Sequence, residues 1–218
     1  MLYLQARIKS VLSKTLANFI SYSFHPGLMP TYLLAVLYFI SPYILAVDGY
    51  TAQAKLLLLL FIFIYSFLFP TLIIFWLYKR RKITDMKLGS LKERRLPYLI
   101  TITSLGFLSY FFYTKSVFLK PTSIILGIVL FTLISVAVIS LKWQISAHSA
   151  AAGGVLGILF TLRVRFDEIS LQWPFFAVLV LAGVIASSRL RLNAHTFGQI
   201  TAGLLLGLIG GLIGALYI

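Results

Sequence analysis

Long apolar runs, broken by short polar islands, set the pattern of this chain. The runs fall at about 28–47, 54–78, 97–113, 122–141, 149–162, 171–187 and 196–218. Most approach the roughly 20 residues that cross a bilayer as a helix. They predict an all-α, polytopic membrane bundle of six or seven transmembrane helices. The run at 149–162 is short and needs its neighbours to cross.

Upstream, Leu4, Ile8, Leu12, Leu16 and Phe19 recur at helical spacing, with Arg7, Lys9, Lys14 and Asn18 falling mostly between them. That spacing predicts an amphipathic helix over 3–21 lying in the membrane interface. A periodic rather than continuous apolar pattern argues against a cleaved signal peptide. His25 to Pro30, HPGLMP, ends that helix and starts the first span. The chain therefore divides into an N-terminal interfacial segment, 1–27, and a transmembrane domain, 28–218. His25 reads as an interfacial residue.

Composition sharpens this picture: 60% of the 218 residues are hydrophobic and only 11% charged. Without cysteine, disulfides, thiolate metal sites and cysteine nucleophiles are excluded. The net charge of +14 suits anionic head groups or a phosphate site better than nucleic acid, because no soluble basic module is present. Carboxylates are few and no metal-ligand spacing occurs, so neither a metal nor another cofactor is expected.

The largest island, 79–97, carries Lys79, Arg80, Arg81, Lys82, Lys87, Lys92, Arg94 and Arg95 against Asp85 and Glu93. Lys79 to Lys82 read as a loop that holds topology. Two smaller islands lie at 142–148 and 188–195, and each contains a histidine, His148 or His195. With seven crossings, all three islands face the same side of the membrane. Titratable groups are costly at a membrane edge and mark candidate function. His195 and Gln199 are one helical turn apart, so they share a helix face.

In this order the islands resemble the type 2 phosphatidic acid phosphatase superfamily, over about 87–206. Its signature is Lys, six residues, Arg-Pro; then Ser-Gly-His; then Ser-Arg, five residues, His, three residues, Asp. Lys87 and Arg94 have the first spacing, with Arg95 next and the proline at Pro97. Ser146, Ala147 and His148 form the second motif with alanine for glycine, and Ser188, Arg189 and His195 the third. Gln199 stands where the family has aspartate.

The resemblance implies that His195 is the nucleophile that becomes a transient phosphohistidine, and that His148 is the general acid. It also implies that Lys87, Arg94, Ser146 and Arg189 hold the phosphoryl oxygens. Gln199 would offer His195 a carbonyl oxygen but no negative charge, so slowed turnover is expected. The expected substrate is a lipid phosphate or polyprenyl diphosphate, such as phosphatidic acid or phosphatidylglycerophosphate, entering sideways from the membrane lipids. Two alternatives are a catalytically silent relative that binds a lipid phosphate, alone or within a membrane complex, and a transporter of an anionic solute. Fourteen basic residues on the site side against five opposite suggest a cytoplasmic site in a bacterial inner membrane.

Overall fold

In the computed structural model, which describes residues 12–82 and 91–218, the chain is helical nearly throughout. The α-helices are α1 Lys14–Ser23, α2 Met29–Ile40, α3 Ala52–Phe63, α4 Phe69–Lys79, α5 Leu91–Lys115, α6 Lys120–Ile139, α7 Ala147–Arg165, α8 Gln172–Arg191 and α9 Phe197–Gly214. A π-turn, Ile64–Leu68, joins α3 to α4 in one long rod. Among the described residues there is no strand, and seven helical stretches are long and apolar enough to span a bilayer. Many large apolar side chains are exposed, among them Leu57, Leu72, Phe107, Phe131 and Val180. Such surfaces suit helices whose solvent is hydrocarbon.

Boundaries differ from the hydropathy reading in two places. The first long apolar stretch is Lys14–Ile40, which combines α1, the 3₁₀ turn Pro26–Leu28 and α2. The expected break at His25 is there, and the described part of the N-terminal segment is helical; residues 3–11 lie outside the described residues. The third stretch belongs to a helix that starts at Leu91, so Pro97 lies inside α5 instead of opening it. Its ring removes one backbone hydrogen bond without ending the helix.

The short run at 149–162 becomes the centre of the bundle. Two-thirds of the Ala147–Arg165 window is buried, against 17–39% for the other stretches. Leu33, Leu34, Leu37 and Tyr38 of α2, Leu108 and Phe112 of α5, and Ile125 and Leu126 of α6 form one core with Ile158 and Leu162 of α7. The buried Tyr38 and Thr122 hydroxyls satisfy each other at 3.0 Å.

Glycines bring α7 against α9 at backbone distance. A Cβ on Gly207 would come within 1.9 Å of the Ala150 carbonyl oxygen, and one on Gly153 within 2.1 Å of the Leu204 carbonyl oxygen. Dispersion between closely approached backbones drives helix association where no hydrophobic effect operates. The contact reaches the helix starts, where the Ser146 N–H donates to the Gln199 carbonyl at 3.2 Å. It therefore fixes the second and third polar islands side by side.

Candidate active site

His195 reaches the site through the way α8 ends. Asn193 adopts a left-handed conformation, φ 50°, which asparagine tolerates better than most residues. The Ala194 N–H then donates back to the Arg189 carbonyl at 3.1 Å, closing the helix with its last carbonyls satisfied. Two residues later Thr196 caps α9. His195 is thus held between two helix ends and is 8% exposed.

Its Nδ1 lies 3.1 Å from the main-chain carbonyl oxygen of Gln144. A carbonyl can only accept, so Nδ1 carries the proton and Nε2 the lone pair. Burial first, and then the Arg189 charge, lower the His195 pKa to about 4; Arg94 acts in the same direction, while the Gln144 carbonyl and the Gln199 side chain oppose it. The ring is neutral at physiological pH, and Nε2 keeps its lone pair.

Gln199 has a second occupation. Its Oε1 accepts from the Thr196 N–H at 3.0 Å, and the Thr196 hydroxyl accepts from the Gln199 N–H at 3.4 Å, which completes a capping box. Its amide also acts on the His195 ring. One side chain therefore serves the helix start and the imidazole together.

His148 lies in the first turn of α7, half-buried, with Nε2 3.1 Å from the Ser21 carbonyl oxygen. The same acceptor logic puts its proton on Nε2. Arg189 donates from Nη1 to the Ser21 hydroxyl at 3.2 Å, and its buried Nε has no hydrogen-bond partner among the described residues. Arg94 is buried and close enough for its charge to act on both Arg189 and His195. Guanidinium and imidazole groups thus converge, and His148, Arg189 and His195 have neutral oxygens as hydrogen-bond partners. Such a cluster of donors suits an anionic group.

Ser146 is fully buried and caps α7, its hydroxyl accepting from the Ser149 N–H at 3.3 Å and from the Ser149 hydroxyl at 2.9 Å. Lys87 lies outside the described residues. His148, Arg189, His195, Gln199, Ser146 and Arg94 all gather at one end of the bundle.

Sequence reading passed over Ser21 and Gln144. Both act largely through main-chain carbonyls, which carry no residue-type signal. The T-x-x-Q pattern at Thr196 to Gln199 is the sequence signal of that capping box, and it overlaps the third motif. An apolar crevice of about 650 Å³ between α6 and α9, lined by residues such as Phe131, Leu206 and Tyr217, contains none of the candidate residues. With only apolar groups to offer, it is no place for phosphoryl chemistry.

The family model of the PAP2 superfamily matches residues 140–218, which hold the second and third motifs, His148, Arg189 and His195 included. No curated protein and no solved structure matches the chain. Members of the superfamily are generally phosphatases, so the match points to phosphatase-type chemistry on lipid phosphates in general. The C-terminal segment 140–218 is therefore similar to the PAP2 superfamily, the family that the polar islands resemble.

Proposed function

We propose that the protein is a membrane lipid phosphatase acting on a phosphomonoester or diphosphate, in the class of phosphatidic acid, phosphatidylglycerophosphate or a polyprenyl diphosphate. The observation that carries this reading is the His195 imidazole, its proton held on Nδ1 by the Gln144 carbonyl, beside the half-buried Arg189, whose buried Nε has no hydrogen-bond partner among the described residues.

In the first step the His195 Nε2 lone pair forms a bond to phosphorus. The phosphorus–oxygen bond to the lipid breaks, and its electron pair stays with the departing oxygen. With the phosphate anion bound beside it, His148 is protonated on both ring nitrogens; the departing oxygen replaces the Ser21 carbonyl at Nε2–H and takes that proton, leaving neutral imidazole. In the second step His148 removes a proton from water, whose oxygen attacks phosphorus. The nitrogen–phosphorus bond breaks, inorganic phosphate leaves and His195 is restored.

Arg189 and Arg94 stabilise the negative oxygens throughout, from a site of low dielectric where fixed charges act strongly. Lys87 and the proton of the Ser146 hydroxyl are the further phosphate contacts. The site opens to the cytoplasmic side in this reading, as the charge bias suggests.

A second reading, a silent protein that binds lipid phosphate, is favoured by one observation: the position that would stabilise a positive imidazole holds the uncharged Gln199 amide. Phosphate release from a panel of lipid phosphates and polyprenyl diphosphates, by purified protein beside His195→Ala, separates the two. Release that disappears in His195→Ala supports the enzyme. Binding without release from wild type supports the silent protein.

A further inference from the structure

The third histidine of the chain lies in the same place as the other two. The His25 ring packs edge-to-face against His148 at 5.8 Å between centroids, and against Phe67 at 5.4 Å from the other direction. It is near enough to Arg189 for that charge to act on it. Nothing in the motif pattern places it there. The residue sits some 120 positions from His148 in sequence, at the joint between α1 and α2.

The position is built. His25 caps the 3₁₀ turn Pro26–Leu28, its Nδ1 accepting from the Gly27 N–H at 3.2 Å. That turn is pressed against the π-turn of the α3–α4 rod: a Cβ on Gly27 would come within 2.8 Å of the Ser66 carbonyl oxygen. The π-turn in turn presents Phe67 to the ring, and the Ser104 hydroxyl takes up the Tyr65 carbonyl there at 2.6 Å. Such extra-residue turns often mark functional places in helices.

The tautomer follows from the cap. Because Nδ1 accepts from a backbone N–H, it has no proton, and the neutral ring carries its proton on Nε2. The two ring nitrogens diverge, so Nε2–H is directed away from the turn. No acceptor for it is present among the described residues. His25 is exposed, so that donor is open to a ligand.

We propose that His25 is a phosphate-contacting residue of this site, its Nε2–H donating to a non-bridging phosphoryl oxygen of the substrate beside His148 and Arg189. This rests on the phosphatase reading given above, or equally on its binding-only alternative. It makes the joint between α1 and α2 a wall of the phosphate pocket, added to the residues of the three polar islands.

Two substitutions separate this role from the capping role. In His25→Asn the side-chain oxygen falls near the Nδ1 position and retains the cap, but the Nε2 donor is lost. In His25→Gln the amide N–H₂ falls near the Nε2 position and retains the donor, but the cap is weakened. Orthovanadate, the phosphate mimic, is titrated into the purified full chain by calorimetry, with thermal unfolding without vanadate as the folding control. The expected result is an affinity roughly 10-fold weaker for His25→Asn, as for a lost hydrogen bond to a charged acceptor, and within about 3-fold of wild type for His25→Gln.

The reverse order, with Asn binding normally and Gln weakly, would mean that the ring only caps its turn, and would overturn the proposal. Two variants both binding as wild type does would overturn it too. If wild type binds vanadate in an Arg189-dependent manner while His25→Asn is unaffected, only this inference fails. If wild type does not bind vanadate, it falls together with the phosphate-site reading.

Discussion

The Nδ1 of His195 and the main-chain carbonyl of Gln144 stand 3.1 Å apart, and this contact fixes which ring nitrogen carries the proton and which the lone pair. In the family pattern that orienting task belongs to an aspartate. Here a carbonyl on the non-helical link before α7 directs the proton, and it does so without a negative charge. Orientation and charge stabilisation are thereby separated.

The tautomer has a spectroscopic consequence. In histidine-labelled protein, with His195→Gln for assignment, ¹⁵N NMR should show the His195 Nδ1 bearing the proton and Nε2 unprotonated between pH 5 and 8. Protonation should have its midpoint at about 4, because burial and Arg189 disfavour the cation. A midpoint of 6 to 7 would contradict this environment.

The same shift sets a sign for stability. In the unfolded chain the imidazole takes up its proton near pH 6.5; in the folded chain it does so only near pH 4. Between these values the unfolded state binds more protons, so stability falls as pH is lowered through that window. His195→Gln should flatten this part of a plot of thermal midpoint against pH. An unchanged slope in the variant would assign the effect to other groups.

Gln199 should respond to charge and to length separately. Gln199→Glu keeps the reach to the Thr196 N–H and places a carboxylate beside the ring, which favours the positive imidazole formed in the reaction. Turnover is expected to rise by at least about 10-fold, given the large penalty known for neutral amides at comparable histidine partners. Gln199→Ala should lower stability by about 1 kcal/mol through the lost cap. Phosphate release and thermal unfolding measure the two effects. A Gln199→Glu variant no faster than wild type would show that charge at this position is not limiting.

Gly207 tests how far the site depends on close helix approach. A Cβ there would meet the Ala150 carbonyl oxygen at 1.9 Å, so Gly207→Leu must push α9 from α7. The expected cost is at least about 1–3 kcal/mol, the range for overpacked interiors, with loss of vanadate binding. Gly183→Ala is the control, since a Cβ there meets nothing within 4 Å. It should be neutral or slightly stabilising. Equal behaviour of the two variants in thermal unfolding would contradict the packing role given to Gly207.

Hydropathy made the helices legible because lipid imposes its signal on every spanning residue. It undervalued α7, whose short apolar run lies almost wholly inside the bundle and is solvated by protein instead of lipid. The motif spacing marked His148, Arg189 and His195, which the fold does bring together. Gln144 and Ser21 escaped notice because a carbonyl has no residue-type signature. His25 escaped because only the packing of the Gly27 turn on the Ser66 carbonyl carries it to His148.

The most direct test of His195 as nucleophile is capture of the phosphoenzyme. Purified protein is mixed with ³²P-labelled lipid phosphate, quenched in alkali, where phosphohistidine survives, and mapped by mass spectrometry and ³¹P NMR. The expected product is a phosphohistidine at His195, bonded through Nε2, and absent from His195→Ala. Undiminished phosphate release by His195→Ala, or label bonded through Nδ1 or carried by another residue, would contradict the arrangement in which the Gln144 carbonyl leaves Nε2 to attack.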